Sequence, residues 1–196
     1  MISLRPQFAL TVAAVSLLSL AACNTTRSTQ SVPGVGVTTT VDPALATKAP
    51  VDIAILPIAN LTGGEAPVDD LRVAFQRGLV VRNYSPLAFG YVDRNITEAS
   101  YTPGAAQEQG VLSIELQRWD TRLWETHHTI EVTMRARLLD ATSGGNELWK
   151  AEASRRYEFG AAFDRLPTDS ARLKLACETI AAEFLERLPP RRANQL

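Results

Sequence analysis

The strongest constraint on this chain is a change of hydrophobic period in its second half. Leu112, Ile114 and Leu116 alternate with Ser113, Glu115 and Gln117. Ile130, Val132, Met134, Ala136 and Leu138 alternate with Glu131, Thr133, Arg135 and Arg137, and Trp149, Ala151 and Ala153 continue the pattern around Lys150 and Glu152. Successive side chains of a strand point to opposite faces. A period of two therefore means half-buried antiparallel strands, apolar on one side and polar on the other. DATSGGN, residues 140–146, is the hairpin between the last two strands, and its Gly pair supplies positive φ. The loop of the earlier hairpin runs from Trp119 to His128.

The first half reads differently. Val51 to Ile58 is a dense apolar run interrupted by Asp52 and Pro57. Strands buried on both faces look like this, and their usual setting is parallel pairing. A helix follows, with Pro67 in its first turn, Asp69 and Asp70 at the positive end of its dipole, and Leu71, Phe75 and Leu79 on one face. It ends near Asn83, before Ser85-Pro86. A short strand is predicted over Leu87 to Val92, then a polar loop from Asp93 to Gly110. A closing helix runs from Thr168 to Leu188, with Leu173, Cys177, Ile180, Phe184 and Leu188 as its stripe and Pro189-Pro190 as its stop. The order β-α-β-loop-β-β-β-α predicts an α/β (α+β two-layer) domain over residues 51–189. It has a mixed sheet of about five strands with helices on one or both faces. Residues 190–196 form a polar tail.

The amino terminus, MISLRPQFALTVAAVSLLSLAAC, has a positive start at Arg5, an uncharged run from Phe8 to Leu20 and small residues before Cys23. This is the layout of a secretory signal, and the run is shorter than the roughly 20 residues a transmembrane helix needs. Leu20-Ala21-Ala22-Cys23 resembles the bacterial lipobox read by the lipoprotein signal peptidase. The resemblance implies cleavage after residue 22 and lipid attachment at the Cys23 thiol and its freed amine. More than one acyl chain makes anchoring stable. Asn24 in place of Asp implies, by the usual lipoprotein sorting rule, the outer membrane with the domain facing the periplasm. Residues 23–50 then form the lipidated terminus and a tether rich in Thr, Ser, Pro and Gly, spanning about 30 Å as a flexible coil. With Cys23 lipidated, Cys177 has no partner for an internal disulfide. It is a reactive thiol, an intermolecular bridge or a buried inert residue, and its place on an apolar stripe favours the last.

Composition narrows little: 45% apolar, 21% charged and a net charge of −1 make no broad electrostatic case for nucleic acid. The run ILPIANLTGG, residues 55–64, stands where nucleotide-binding proteins cradle phosphate. Yet Gly63-Gly64 is followed by Glu65, Asp69 and Asp70, with no cation before Arg72, so neither a phosphate loop nor a dinucleotide fingerprint is present. His127-His128 point to opposite faces if they lie on a strand, which disfavours a shared metal. No nucleophile elbow or acid–base pair stands out. No cofactor, nucleotide, metal or catalytic residue is assigned. Trp119, Arg122 and Trp124, bunched in one loop, have the residue types of a binding hot spot. The alternative is that both tryptophans fold back onto the sheet.

Asp52 to Gly63, an apolar strand followed by Leu-Pro, Asn and Thr-Gly, resembles the opening strand of a group of envelope lipoproteins. The group includes the curli-secretion lipoprotein and the lipoprotein activators of penicillin-binding proteins, and the TolB amino-terminal domain shares its fold. Tyr91-Val92-Asp93 matches the Val-Asp that follows the first helix in its small members. The resemblance implies a non-catalytic accessory or assembly factor acting through contacts with an envelope protein. The alternative is an auxiliary lipoprotein of lipid or lipopolysaccharide transport. An exposed aromatic patch would favour the first, an apolar groove the second, and a polar pocket of titratable groups an enzyme.

Overall fold

The computed structural model describes residues 28–30, 36–97, 102–160, 163 and 165–192. Leu20, Ala21, Ala22 and Cys23 lie outside them. In chain order the elements are β1 (Ser28–Gln30), β2 (Thr38–Val41), α1 (Ala44–Lys48), β3 (Asp52–Ile55), β4 (Ala59–Asn60), α2 (Val68–Val81), β5 (Ser85–Pro86), α3 (Phe89–Thr97), β6 (Gly110–Asp120), α4 (Trp124–His127), β7 (Thr129–Asp140), β8 (Glu147–Glu158) and α5 (Asp169–Glu186). One mixed sheet has the order β1-β2-β8-β7-β6-β3-β5, with β4 also beside β6. β3 is parallel to β5 and β6, and β4 to β6; the other pairs are antiparallel. The α/β class is as expected, and the sheet of eight strands among the described residues is larger than expected.

The period-two strands pair as their pattern requires. Leu138 lies between Leu112 on β6 and Trp149 on β8, and Ala136 between Ile114 and Ala151. All of these are buried. The register is pinned because a slip of one residue would turn every apolar side chain to water. Above this face α2 and α5 pack against each other, with the Phe75 and Phe184 rings edge to face at 6.3 Å. Gly78 permits the close approach: a Cβ there would stand 2.4 Å from Leu185 Cδ1. Ile53, Ala54 and Ile55 of β3 are fully buried. The α5 cap is Thr168, whose Oγ1 accepts the Ala171 N–H at 3.2 Å.

Three expectations change. The tether over residues 23–50 contains β1, β2 and α1. Thr38 to Val41 pairs with β8, with Thr39 turned inward and buried, and Leu45 on α1 is buried as well. The sheet therefore begins upstream of Val51. The strand expected over Leu87 to Val92 is largely helix: β5 stops at Pro86 and α3 starts at Phe89. Phe89 and Val92, three apart, pack inward as a helical pair. Finally, the loop from Trp119 to His128 begins as strand, to Asp120, and holds the short α4.

Candidate functional site

The 55–64 turn spends its polar groups on itself. The Asn60 side-chain oxygen accepts the Thr62 N–H at 3.1 Å and the Thr62 hydroxyl at 2.7 Å, and Asn60 Nδ2 donates to the Gly64 carbonyl at 2.9 Å. Gly63 has φ +74°, the left-handed region where glycine costs least. Asn, Thr and Gly thus close a turn between β4 and α2.

Arg72 has a role its sequence position does not reveal. Its Nε and Nη2 donate to the Ile55 carbonyl at 3.1 and 2.6 Å, and Nη1 and Nη2 form a fork on Asp93 at 3.0 and 2.6 Å. Its guanidinium lies 4.3 Å over the Phe89 ring. A buried arginine with a carboxylate, a carbonyl and a ring around it ties β3, α2 and α3 together.

The Trp119–Arg122–Trp124 set separates. Trp124 is 9% exposed and lies among Phe159, Phe163 and His128, with the Phe163 ring at 5.5 Å and nearly perpendicular. Phe159 and Phe163 stack at 4.4 Å. Trp119 sits across from Val132 and packs against the core. Neither tryptophan offers an open aromatic face, because burial of a large ring outweighs leaving it in water. Arg122 alone projects, its side chain 81% exposed. Leu123 is exposed beside it. His127 ends α4, its Nδ1 2.7 Å from Thr126 Oγ1, and His128 caps the helix at φ +48°. Cys177 is buried, and burial pushes its thiol pKa up to about 12.

Arg122 ends a line of alternating charge on the outer sheet face. Arg122 meets Asp120 at 2.7 Å, Asp120 meets Arg118 at 3.0 Å, Arg118 meets Glu131 at 2.7 Å and Glu131 meets Arg156 at 2.6 Å. A second line runs Arg137, Glu115, Arg135, Glu152 and Lys150. The Thr133 and Ser154 hydroxyls, 2.9 Å apart, lie between the two. Hydrogen bonds from Arg122 hold the Asp120 carboxyl far below the usual carboxylate range, and Arg156 lowers Glu131. A depression of about 290 Å³ at this end is lined by Asp120, Arg122, Leu123, Thr129, Glu131 and Arg156.

A second concavity, of about 250 Å³, lies between α1 and the segment after α5, and Val41, Leu45, Ala46, Tyr84 and Pro189 form its apolar lining. The Tyr84 hydroxyl donates to the Pro189 carbonyl at 2.9 Å, and burial raises its pKa to about 12.

Neither family models nor curated proteins match this chain. Solved structures do. The PelC dodecamer from Paraburkholderia phytofirmans is 19% identical with TM-score 0.52, covering 80% of this chain and 98% of that one. Lipoprotein GNA1162 from Neisseria meningitidis is 17% identical with TM-score 0.49, covering 70% and 99%. LpoB of E. coli is 12% identical with TM-score 0.43, covering 80% and 89%. The PelC likeness defines a shared fold, spanning nearly all of that chain.

Proposed function

We propose that this protein is a non-catalytic lipoprotein of the bacterial envelope, held by lipid on Cys23 at the periplasmic side of the outer membrane. It acts as an accessory or assembly factor through protein contacts. The observation that carries the reading is the fold shared with PelC, whose solved form is a dodecamer. A domain of this architecture serves there as a building block of a protein assembly. The signal sequence and Leu20-Ala21-Ala22-Cys23 supply the envelope address. We place partner contact at Arg122 and Leu123, the exposed members of the cluster around Asp120, with Trp124 supporting them from within. An arginine beside an exposed leucine can give up solvent to a partner's carboxylate and apolar surface at little ordering cost.

The test is a photoreactive amino acid at position 122 in intact cells, with the adducts identified by mass spectrometry. Protein adducts, this chain's own copies included, are expected. Lipid adducts alone would count against assembly. In parallel, Cys23→Ser should lose membrane association. The second reading, an auxiliary lipoprotein of lipid or lipopolysaccharide transport, draws on the apolar groove near Tyr84. At about 250 Å³ it falls below the roughly 300–1,000 Å³ of pockets that enclose a whole ligand, so it ranks second.

A further inference from the structure

The groove beside α1 lies where the chain from the anchor enters the fold. β1 runs antiparallel to β2, with Ser28 across from Val41 and Gln30 across from Thr39. The chain therefore enters β1 at the end where β2 gives way to Asp42 and Pro43, which line the groove together with Val41. Cys23 is five residues before Ser28. Five residues reach at most about 18 Å when fully extended. A lipid on Cys23 would thus hold this end of the domain against the bilayer.

The groove has the composition of a membrane contact. Its floor is apolar, and Arg191 and Arg192 stand in its lining. Arg82 adjoins them: its carbonyl accepts the Arg191 N–H at 2.9 Å, and its Nη1 donates to the Leu188 carbonyl at 2.6 Å. The buried Nε of Arg191 has no hydrogen-bond partner among the described residues. Among the described lining residues the acidic one is Asp42, whose Oδ1 accepts the Ala44 N–H at 2.8 Å at the start of α1. Lys48 on the same helix is held by Asp140 at 3.3 Å. Among the described residues that line the groove, Arg191 and Arg192 outnumber Asp42, which favours an anion, whereas the chain as a whole carries a net charge of −1.

We propose that this groove docks the domain on the membrane by seating part of an anionic phospholipid. The phosphate lies against Arg191 and Arg192, and the glycerol and upper acyl region lie on Val41, Leu45 and Tyr84. The small volume suits the head-group end of a lipid still resting in the bilayer. Basic residues gain affinity near an anionic surface, and apolar contact adds to it. The proposal rests on the anchored reading, since Cys23 is what brings the groove to the bilayer.

The test uses the lipidated full-length mature protein in phosphatidylcholine vesicles with and without phosphatidylglycerol. A fluorophore is placed at Ala46→Cys, on the groove, or at Ser154→Cys, on the outer sheet face; buried Cys177 is not labelled. The quencher is a spin label near the head group of either lipid. The Ala46 probe is expected to be quenched roughly fivefold more by labelled phosphatidylglycerol than by labelled phosphatidylcholine. The Ser154 probe responds to neither, and Arg191→Glu with Arg192→Glu removes the preference. Equal quenching by the two lipids would overturn the proposal. So would absence of quenching in protein that floats with the vesicles, or shielding that follows protein density rather than lipid, which indicates a second copy in the groove. Failure to float would overturn the anchored reading and this proposal together, which separates that failure from the others.

Discussion

Across β6, β7 and β8, Leu112, Leu138 and Trp149 stand side by side on the inner face with no exposure. Three residues further along the ladder, Glu115, Arg135 and Glu152 stand side by side on the outer face, each about a quarter to two-fifths exposed. The backbone is the same and the pairing is the same. The inner row gains free energy by leaving water, in proportion to area. The outer row gains little, because water screens both the charges and their attraction. The inner face therefore holds the fold, and the outer face is free to vary in what it meets. A surface of alternating charge also discourages indiscriminate association while leaving Arg122 and Leu123 projecting at one end.

This difference can be broken by mutation. Leu138→Ala should cost about 3–5 kcal/mol by denaturant unfolding, as a fully buried leucine leaves a cavity. Arg135→Ala, on the outer face of the same strand, should cost no more than about 1 kcal/mol, and less in high salt. Equal costs would contradict the comparison. Arg72→Ala tests a charge carried into the interior. Loss of a buried guanidinium that binds a carbonyl and a carboxylate should cost about 3 kcal/mol. Asp93→Asn, at the more exposed end of that pair, should cost less. Gly78→Ala should cost about 1–3 kcal/mol, because Leu185 must yield for α2 to keep its distance from α5.

A smaller effect is pH-dependent. Burial acts to raise the pKa of Asp140, but the Thr142 hydroxyl and N–H, Ser143 and Lys48 together lower it. A carboxyl whose folded pKa is depressed adds stability above its unfolded value of about 4, and that stability is lost as pH falls through the folded value. Asp140→Asn should therefore flatten the acid limb of the stability profile and leave the neutral-to-alkaline slope unchanged. Cys177 has the opposite sign. Its thiol stays neutral well above the ordinary cysteine range, so a thiol reagent should leave native protein unmodified near pH 8 and react once it is unfolded. The smallest stability change, within about 0.5 kcal/mol, is expected for Arg122→Ser, which should nonetheless weaken partner capture.

What the sequence revealed follows the same division. Strands β6 to β8 and helices α2 and α5 were legible because their burial repeats at a fixed period within one element. The turn at Asn60 was legible as a turn for the same local reason. β2 was hidden because Thr38-Thr39-Thr40-Val41 offers little apolar contrast and becomes a strand by pairing with β8, far along the chain. α3 was hidden because Phe89 and Val92 fit a short strand as well as a single helical turn. Trp124 looked like a contact residue because Phe159 and Phe163, which enclose it, arrive from beyond β8. Arg72 is bonded to residues 17 and 21 positions away, so nothing beside it marks it as buried. Elements defined by their own period were readable, and those completed by a distant partner were not.

Both the envelope address and the membrane-facing groove depend on attachment of lipid to Cys23. Intact-mass spectrometry of the protein extracted from membranes tests this directly. The expected mass is that of a chain beginning at Cys23 and carrying a diacylglyceryl group on its thiol and an acyl chain on its amine. A mature chain without those groups, or one cleaved at another residue, would contradict the account.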